Sequence, residues 1–303
     1  MHGQANIVNQ LTRLYQAVVP NRIRKGLHNR WYVRHSQRWE QIKGTSGSVI
    51  HRLGIGSRMK LYGDSRLCEM IYFGYFEMDT RLFFEAFLRP EDVFLDIGAN
   101  VGLFTLCAAK TVGRNGHVYA FEPCSQTFSR LQENVLLNAL QNVECHQIAL
   151  GSENGTADLT IAGDGYDAWN SLGKPYMGGT ARQEKVRTLT LDTFVQDKKL
   201  VGKITAMKID VEGWESHVLA GAETLLSRPD APLLCVEFTE KAAANAGSSC
   251  TDLYRMLESF GYELFELPDG NGNLVPFPLR TPFPDVNLIA TKDKAMVRQR
   301  LLG

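Results

Sequence analysis

The sequence predicts an α/β protein: a mostly parallel sheet covered by helices on both faces, preceded by a basic, largely helical segment. Three observations lead there. After Pro90, short apolar runs alternate with helix-like stretches, the pattern of a parallel sheet buried on both faces. Near the C-terminal end the alternation stops, and two strand-like runs are joined by a Pro/Gly-rich loop with no helical pattern; a parallel return needs a crossover, so this pair reads as antiparallel. Charge is also divided unevenly. Lys plus Arg and Asp plus Glu both total 33, yet twelve bases and only two acids, Glu40 and Asp64, lie up to residue 66. A neutral chain split this way has two parts with different surfaces.

Taken in order, Ile7, Leu11, Leu14, Tyr15 and Val18 recur at spacings of three and four, predicting an amphipathic helix over 4–18 that Pro20 ends. Residues 21–43, rich in Arg, His and the aromatics Trp31, Tyr32 and Trp39, read as helical too. Residues 44–47 (GTSG) form a turn, and 48–63 hold short strands broken at Gly54 and Gly56. Residues 80–89 predict a helix stopped by Pro90. The core strands are VFLDI (93–97), HVYAF (117–121), VECHQIAL (143–150), ITAMKID (204–210) and LLCVEF (233–238), with helices over 101–112, 125–139, 214–226 and 249–260. YELFEL (262–267) and VNLIAT (286–291) are the antiparallel pair. TADLTI (156–161) and VRTLTL (186–191) read as a hairpin-like insertion, about 155–191, between the third and fourth core strands. The chain thus divides into a basic N-terminal extension or cap, 1–72, and an α/β domain, 73–303.

Composition narrows the class. A hydrophobic fraction of 44% with 22% charged residues excludes bulk disorder. No run approaches the ~18 apolar residues of a membrane span, and the first residues show no basic stretch followed by an apolar one, so no secretory leader is expected. Cys68, Cys107, Cys124, Cys145, Cys235 and Cys250 form no C-x-x-C and read as reduced thiols of a cytoplasmic protein.

The strongest chemical signal is VFLDIGANVGLFT (93–105). A strand ends at Asp96, a tight turn runs through Gly98, Ala99 and Asn100, and a helix begins near Val101. The turn amides and the helix N-terminus attract negative charge. The glycines read G-x-x-x-G (Gly98, Gly102), neither the dinucleotide fingerprint nor the phosphate-loop pattern. An acid ahead of the first glycine repels pyrophosphate and suits a cationic amino group. The next strand ends in Glu122, placed to accept from ribose hydroxyls. An amino acid joined to a nucleoside, S-adenosylmethionine, satisfies both acids.

These residues resemble a family. DIGANVG, FEP (121–123), IALG (148–151) and MKIDVEGWE (207–215), with the lead-in GYFE (74–77), look like the FkbM-type methyltransferases over roughly residues 75–290. The resemblance implies a class I, Rossmann-like sheet of seven strands with an antiparallel last strand, S-adenosylmethionine as cofactor, and O-methylation of a hydroxyl on a saccharide or other polyhydroxylated natural product. It places the methionine portion on Asp96 and the Gly98–Gly102 loop, and the ribose on Glu122. Asn100 serves equally as a helix cap or a cofactor contact. Ala149 and Leu150 lie near the adenine through their backbone.

Asp210 and Glu212, after the fourth strand, face the methyl group, since sites in open α/β sheets lie at the carboxyl ends of strands. Methyl transfer to a hydroxyl needs alignment and a proton acceptor, which either acid supplies; the competing reading is a cap on the next helix. Glu237, ending the fifth strand, lines the cleft. Ser171 resembles a serine common in the family and contacts the acceptor or sits in a solvent loop. Trp169 stacks on a sugar face. His217, alone on a helix, reads as structural. The local Asp210-x-Glu212 spacing builds no metal cage, so no metal site is assigned, with magnesium, used by some related O-methyltransferases, the less favoured alternative. The absence of an Asn/Asp-Pro-Pro-aromatic run after the fourth strand argues against base methylation. The basic segment has three readings: a cap or homodimer arm on the acidic domain, a peripheral membrane contact, or an RNA contact. The alternative functions are an RNA-directed methyltransferase and a non-catalytic cofactor-binding or scaffold module.

Overall fold

The structure is a computed structural model, and it describes residues 35–161, 170–173, 182–268 and 273–302. The helix expected over 4–18, residues 21–34 with Trp31 and Tyr32, and Trp169 lie outside the described residues.

Residues 35–40 are helical. Then follow β1 (Ser48–Arg52), β2 (Arg58–Tyr62), α1 (Arg66–Phe73), α2 (Met78–Phe87), β3 (Val93–Ile97), α3 (Leu103–Val112), β4 (His117–Phe121), α4 (Ser125–Leu137), β5 (Val143–His146), β6 (Ala149–Leu150), β7 (Gly155–Ile161) and β8 (Arg182–Leu189). The second half holds α5 (Leu191–Asp197), β9 (Ile204–Ile209), α6 (Glu215–Ala220), α7 (Glu223–Leu226), β10 (Leu233–Phe238), α8 (Glu240–Asn245), α9 (Cys250–Ser259), β11 (Glu263–Phe265), β12 (Val286–Thr291) and α10 (Lys294–Leu302).

Seven strands form the central sheet, in the order β11-β12-β10-β9-β3-β4-β5. β12 runs antiparallel to both neighbours, β10 and β11, while β10, β9, β3, β4 and β5 are mutually parallel. The expected Rossmann-like α/β sheet with an antiparallel last strand is therefore present. Its two faces carry separate hydrophobic clusters. Leu95, Ile97, Met207 and Val236 pack on one, and Phe94, Ala206, Leu233 and Cys235 on the other. That two-sided burial is why these strands read as unbroken apolar runs.

Three local expectations are corrected. The run 143–150 is two strands: β5 closes the central sheet, and β6 belongs to a separate three-stranded sheet, pairing with β8. The break lies at Gln147-Ile148, where the chain leaves one sheet for the other. The helix expected over 214–226 is α6 and α7, separated at Gly221-Ala222. The second arm of the insertion spans Arg182–Leu189, and Leu191 already begins α5, whose N-cap Thr190 accepts from Thr193 N. β7 and β8 pair antiparallel, Ala157 opposite Val186.

The described part of the basic segment is built into the domain. Trp39, Val49, Met59 and Leu61 share a core cluster with Phe84, Phe94 and Leu233, and residue 72, the expected boundary, falls inside α1. The free edge of β2 is covered by α4. Asn134 Oδ1 accepts from Lys60 N at 2.7 Å, Asn138 Oδ1 accepts from Arg58 N at 2.8 Å, and Arg130 donates twice to Asp64, at 2.7 and 2.6 Å. An exposed strand edge is a pairing hazard, and here side-chain amides satisfy it. All six cysteines are free. Among the described residues, no helix is long and apolar enough to cross a membrane.

Candidate cofactor and acceptor cleft

Strand register builds the site. β3 pairs Ile97 with Ile209 of β9 on one side and with Phe121 of β4 on the other. Hydrogen bonding continues past the strand ends: Asp210 N donates to Ile97 O at 3.0 Å, and Gly98 N and Ala99 N both donate to Phe121 O, at 3.0 and 2.9 Å. The sheet also pairs Val236 with Ile209. Asp210, Gly98, Glu122 and Glu237 therefore stand in a row at the carboxyl end of the sheet, where open α/β folds bind ligands.

They line a cleft of about 960 Å³, its open mouth included, together with Glu77, Ala99, Asn100, Ala149, Leu150, Ser171, Lys208, Glu212 and Trp214. Gly98 has φ +84°, and a Cβ there would drive into the Asp210 carbonyl. Only glycine lets β3 turn this close to β9. Asn100 follows, also left-handed at φ 46°, with its amide held by Glu122 Oε2 at 3.0 Å. Glu122 is more occupied than the sequence suggests: its Oε1 accepts from Cys124 N at 2.9 Å and Thr127 Oγ1 at 2.8 Å. It locks the turn and the start of α4 besides facing the cleft.

Asp96 is a correction. Its carboxylate is 1% exposed and is absent from the cleft lining. Alternation along β3 points it under α3, where it accepts from Thr105 Oγ1 at 2.5 Å. Burial raises its pKa, with the Thr105 bond opposing. Asp96 supports the turn from beneath.

On the other side of the turn, Lys208 is 2% exposed. It donates to Asp210 Oδ2 at 2.5 Å and lies 3.5 Å from Glu77 Oε1. Burial pulls its pKa down, but Asp210 and Glu77 outweigh this and hold it charged. Burial lifts Glu77 to about 7, with Lys208 opposing. Glu212 sits at φ 53°, an uncommon conformation for a side-chain-bearing residue, of the kind that clusters at functional sites. Two groups hold it there. Glu215 Oε1 accepts from Val211 N at 2.9 Å and Gly213 N at 3.3 Å, and Ser171 Oγ donates to Glu212 O at 2.8 Å. Glu212 and Glu237 both have raised pKa values, through burial first and then the charge of Asp210.

Residues 96–264, more than half of the sequence, match the family described as "Methyltransferase FkbM domain". The chain belongs to the FkbM methyltransferase family. It is 30% identical to "Methyltransferase 1" of Beauveria bassiana, over 44% of this chain and 60% of that protein. It is 28% identical to "31-O-demethyl-FK506 methyltransferase FkbM" of Streptomyces tacrolimicus, over 45% and 61%. It is 31% identical to "Hexuronic acid methyltransferase AglP" of Haloferax volcanii, over 46% and 53%. The chain thus spans just over half the length of these relatives.

In this FkbM-family cleft most of the described expected residues gather; Asp96 lies one layer below, and Gly102, expected in the cofactor loop, is absent from the lining and caps α3 against Leu131 instead. Ser171 lines the cleft, and its hydroxyl is spent on Glu212 O and Gly173 N. His217 stacks flat on Trp214, 3.6 Å between ring centres; burial lowers its pKa, so it is a neutral packing partner. Sequence reading missed Lys208, Glu77 and Glu215. A lysine inside the apolar run ITAMKI was the available signal, since unpaired lysines are almost never buried.

Proposed function

We propose that this chain is an S-adenosylmethionine-dependent O-methyltransferase acting on a hydroxyl of a saccharide or other polyhydroxylated natural product. The observation that carries the reading is the charge of the cleft. Among its described lining residues, five acids, Glu77, Glu122, Asp210, Glu212 and Glu237, stand against Lys208 alone. A pyrophosphate-bearing dinucleotide is disfavoured there, and a ligand with a sulfonium and an ammonium is favoured. The relatives named for FK506 and hexuronic acid methylation support a hydroxyl-bearing acceptor.

When bound, S-adenosylmethionine supplies a methyl group already activated on sulfur. Glu122 fixes the Gly98 turn beside the ribose position, and Ala149 and Leu150 give an apolar wall for the adenine. On transfer of that methyl group to an acceptor hydroxyl, the hydroxyl proton would pass to a carboxylate of the cleft. Glu212 and Glu237 line the cleft beside Asp210 and offer carboxylate oxygens for that task. A second groove, lined by Thr160, Gly173, Gln183, Asn245 and Trp214, joins the first at Trp214 and Leu172. Its amide and hydroxyl groups suit a neutral, hydroxyl-rich acceptor.

Incubation with methyl-labelled S-adenosylmethionine and a lysate of the host tests the reading. Label is expected in a glycan or small-molecule fraction. Label entering RNA ribose, or no transfer while the cofactor binds, would contradict it in favour of the RNA-directed or non-catalytic alternative.

A further inference from the structure

We propose that Asp210, Glu212 and Glu237 together bind one divalent cation of the magnesium or manganese type. Each offers a carboxylate oxygen, and the three oxygens lie within 4.8 Å of one another. Oxygens on opposite sides of a cation bound at ~2.1–2.5 Å stand ~4.2–5 Å apart, so little movement is required. An all-oxygen, all-carboxylate set selects a hard cation over zinc or copper.

Separate features of the chain aim this set at a ligand. Glu237 Oε2 is shielded from solvent and has no hydrogen-bond partner, although the residue lines the cleft. A shielded carboxylate oxygen without a donor needs a proton or a cation. Lys208 is committed to Asp210 and Glu77, which leaves Glu212 and Glu237 with no ion-pair partner among the described residues. The left-handed turn that carries Glu212 is pinned by Glu215 and Ser171. The set was invisible to local spacing because Glu237 comes from the next strand, brought beside Asp210 by the Val236–Ile209 register.

Such a cation supplies a point of attachment for the acceptor oxygen. That role rests on the methyl-transfer reading, but the cation site itself does not. The test is a titration of the chelator-treated full chain with Mn²⁺, followed by loss of the free-ion electron paramagnetic resonance signal, with Mg²⁺ as competitor. One Mn²⁺ per chain is expected, displaced by Mg²⁺. Glu237→Gln and Glu212→Gln, each checked for a cooperative unfolding transition, should weaken Mn²⁺ affinity by about tenfold or more, since affinity follows ligand charge. No Mn²⁺ binding at millimolar concentration, or both variants binding as tightly as the parent, would overturn the proposal. A chain that binds S-adenosylhomocysteine but fails to bind Mn²⁺ sinks the cation site and spares the methyltransferase reading; one that binds Mn²⁺ but not S-adenosylhomocysteine does the reverse.

Discussion

Glu215 offers a sharp test of how the turn carrying Glu212 is held. It is 3% exposed, and its Oε1 alone accepts both turn amides, from Val211 and Gly213. Glu215→Ala strands two donors, one buried and one partly buried, at up to ~1–3 kcal/mol each. Glu215→Gln keeps a carbonyl oxygen at the same place. Burial raises the Glu215 carboxyl from 4.5 to about 7, so its folded form holds a proton that the unfolded chain has released. The resulting stability is fully present below pH 4.5, falls as pH rises from 4.5 to about 7, and stays low above that. The whole window corresponds to on the order of 3 kcal/mol, of which ~2 kcal/mol falls between about pH 5.5 and 8. Urea unfolding of the ligand-free protein, followed by tryptophan fluorescence, reads both effects. Relative to wild type, Glu215→Gln should gain ~2 kcal/mol between those two pH values, and Glu215→Ala should be the less stable variant at both. Parallel pH profiles for wild type and Glu215→Gln, or an alanine variant as stable as the glutamine one, would refute the assigned role.

Further outcomes follow from the same cleft. Lys208→Met leaves Asp210 and Glu77 without their shared cation and should cost ~3–5 kcal/mol, the penalty of breaking a buried ion pair, measured by denaturant unfolding at pH 8. Gly98→Ala places a methyl group against the Asp210 carbonyl and should abolish cofactor binding in calorimetry; unchanged affinity would show the turn does not form the site. Ser171→Ala removes the bond to Glu212 O; it should cost ~1 kcal/mol of stability and raise KM for the acceptor more than for the cofactor in steady-state assays.

Much of the fold was legible because the signals were redundant. The strands β3, β4, β9 and β10 each announce themselves as apolar runs, and the acids at their ends mark one edge of the sheet. Less legible was anything decided by register or by crossings between distant segments. Residues 143–150 look like one strand, yet β6 joins β8 of the insertion. Asp96 looks like a ligand-facing acid, yet the alternation of a strand buried on both faces turns it toward Thr105. Lys208 stood inside a quoted motif but gained meaning only when Glu77, more than a hundred residues earlier, was found beside it. The Asp210, Glu212 and Glu237 set is hidden for the same reason.

The most direct measurement is a calorimetric titration of the whole chain with S-adenosylhomocysteine, repeated with Glu122→Ala and with NAD in place of the nucleoside. Saturable one-to-one binding of S-adenosylhomocysteine, lost in Glu122→Ala and absent for NAD, is the expected result. Tight NAD binding with none for S-adenosylhomocysteine would contradict the reading of the cleft at its centre.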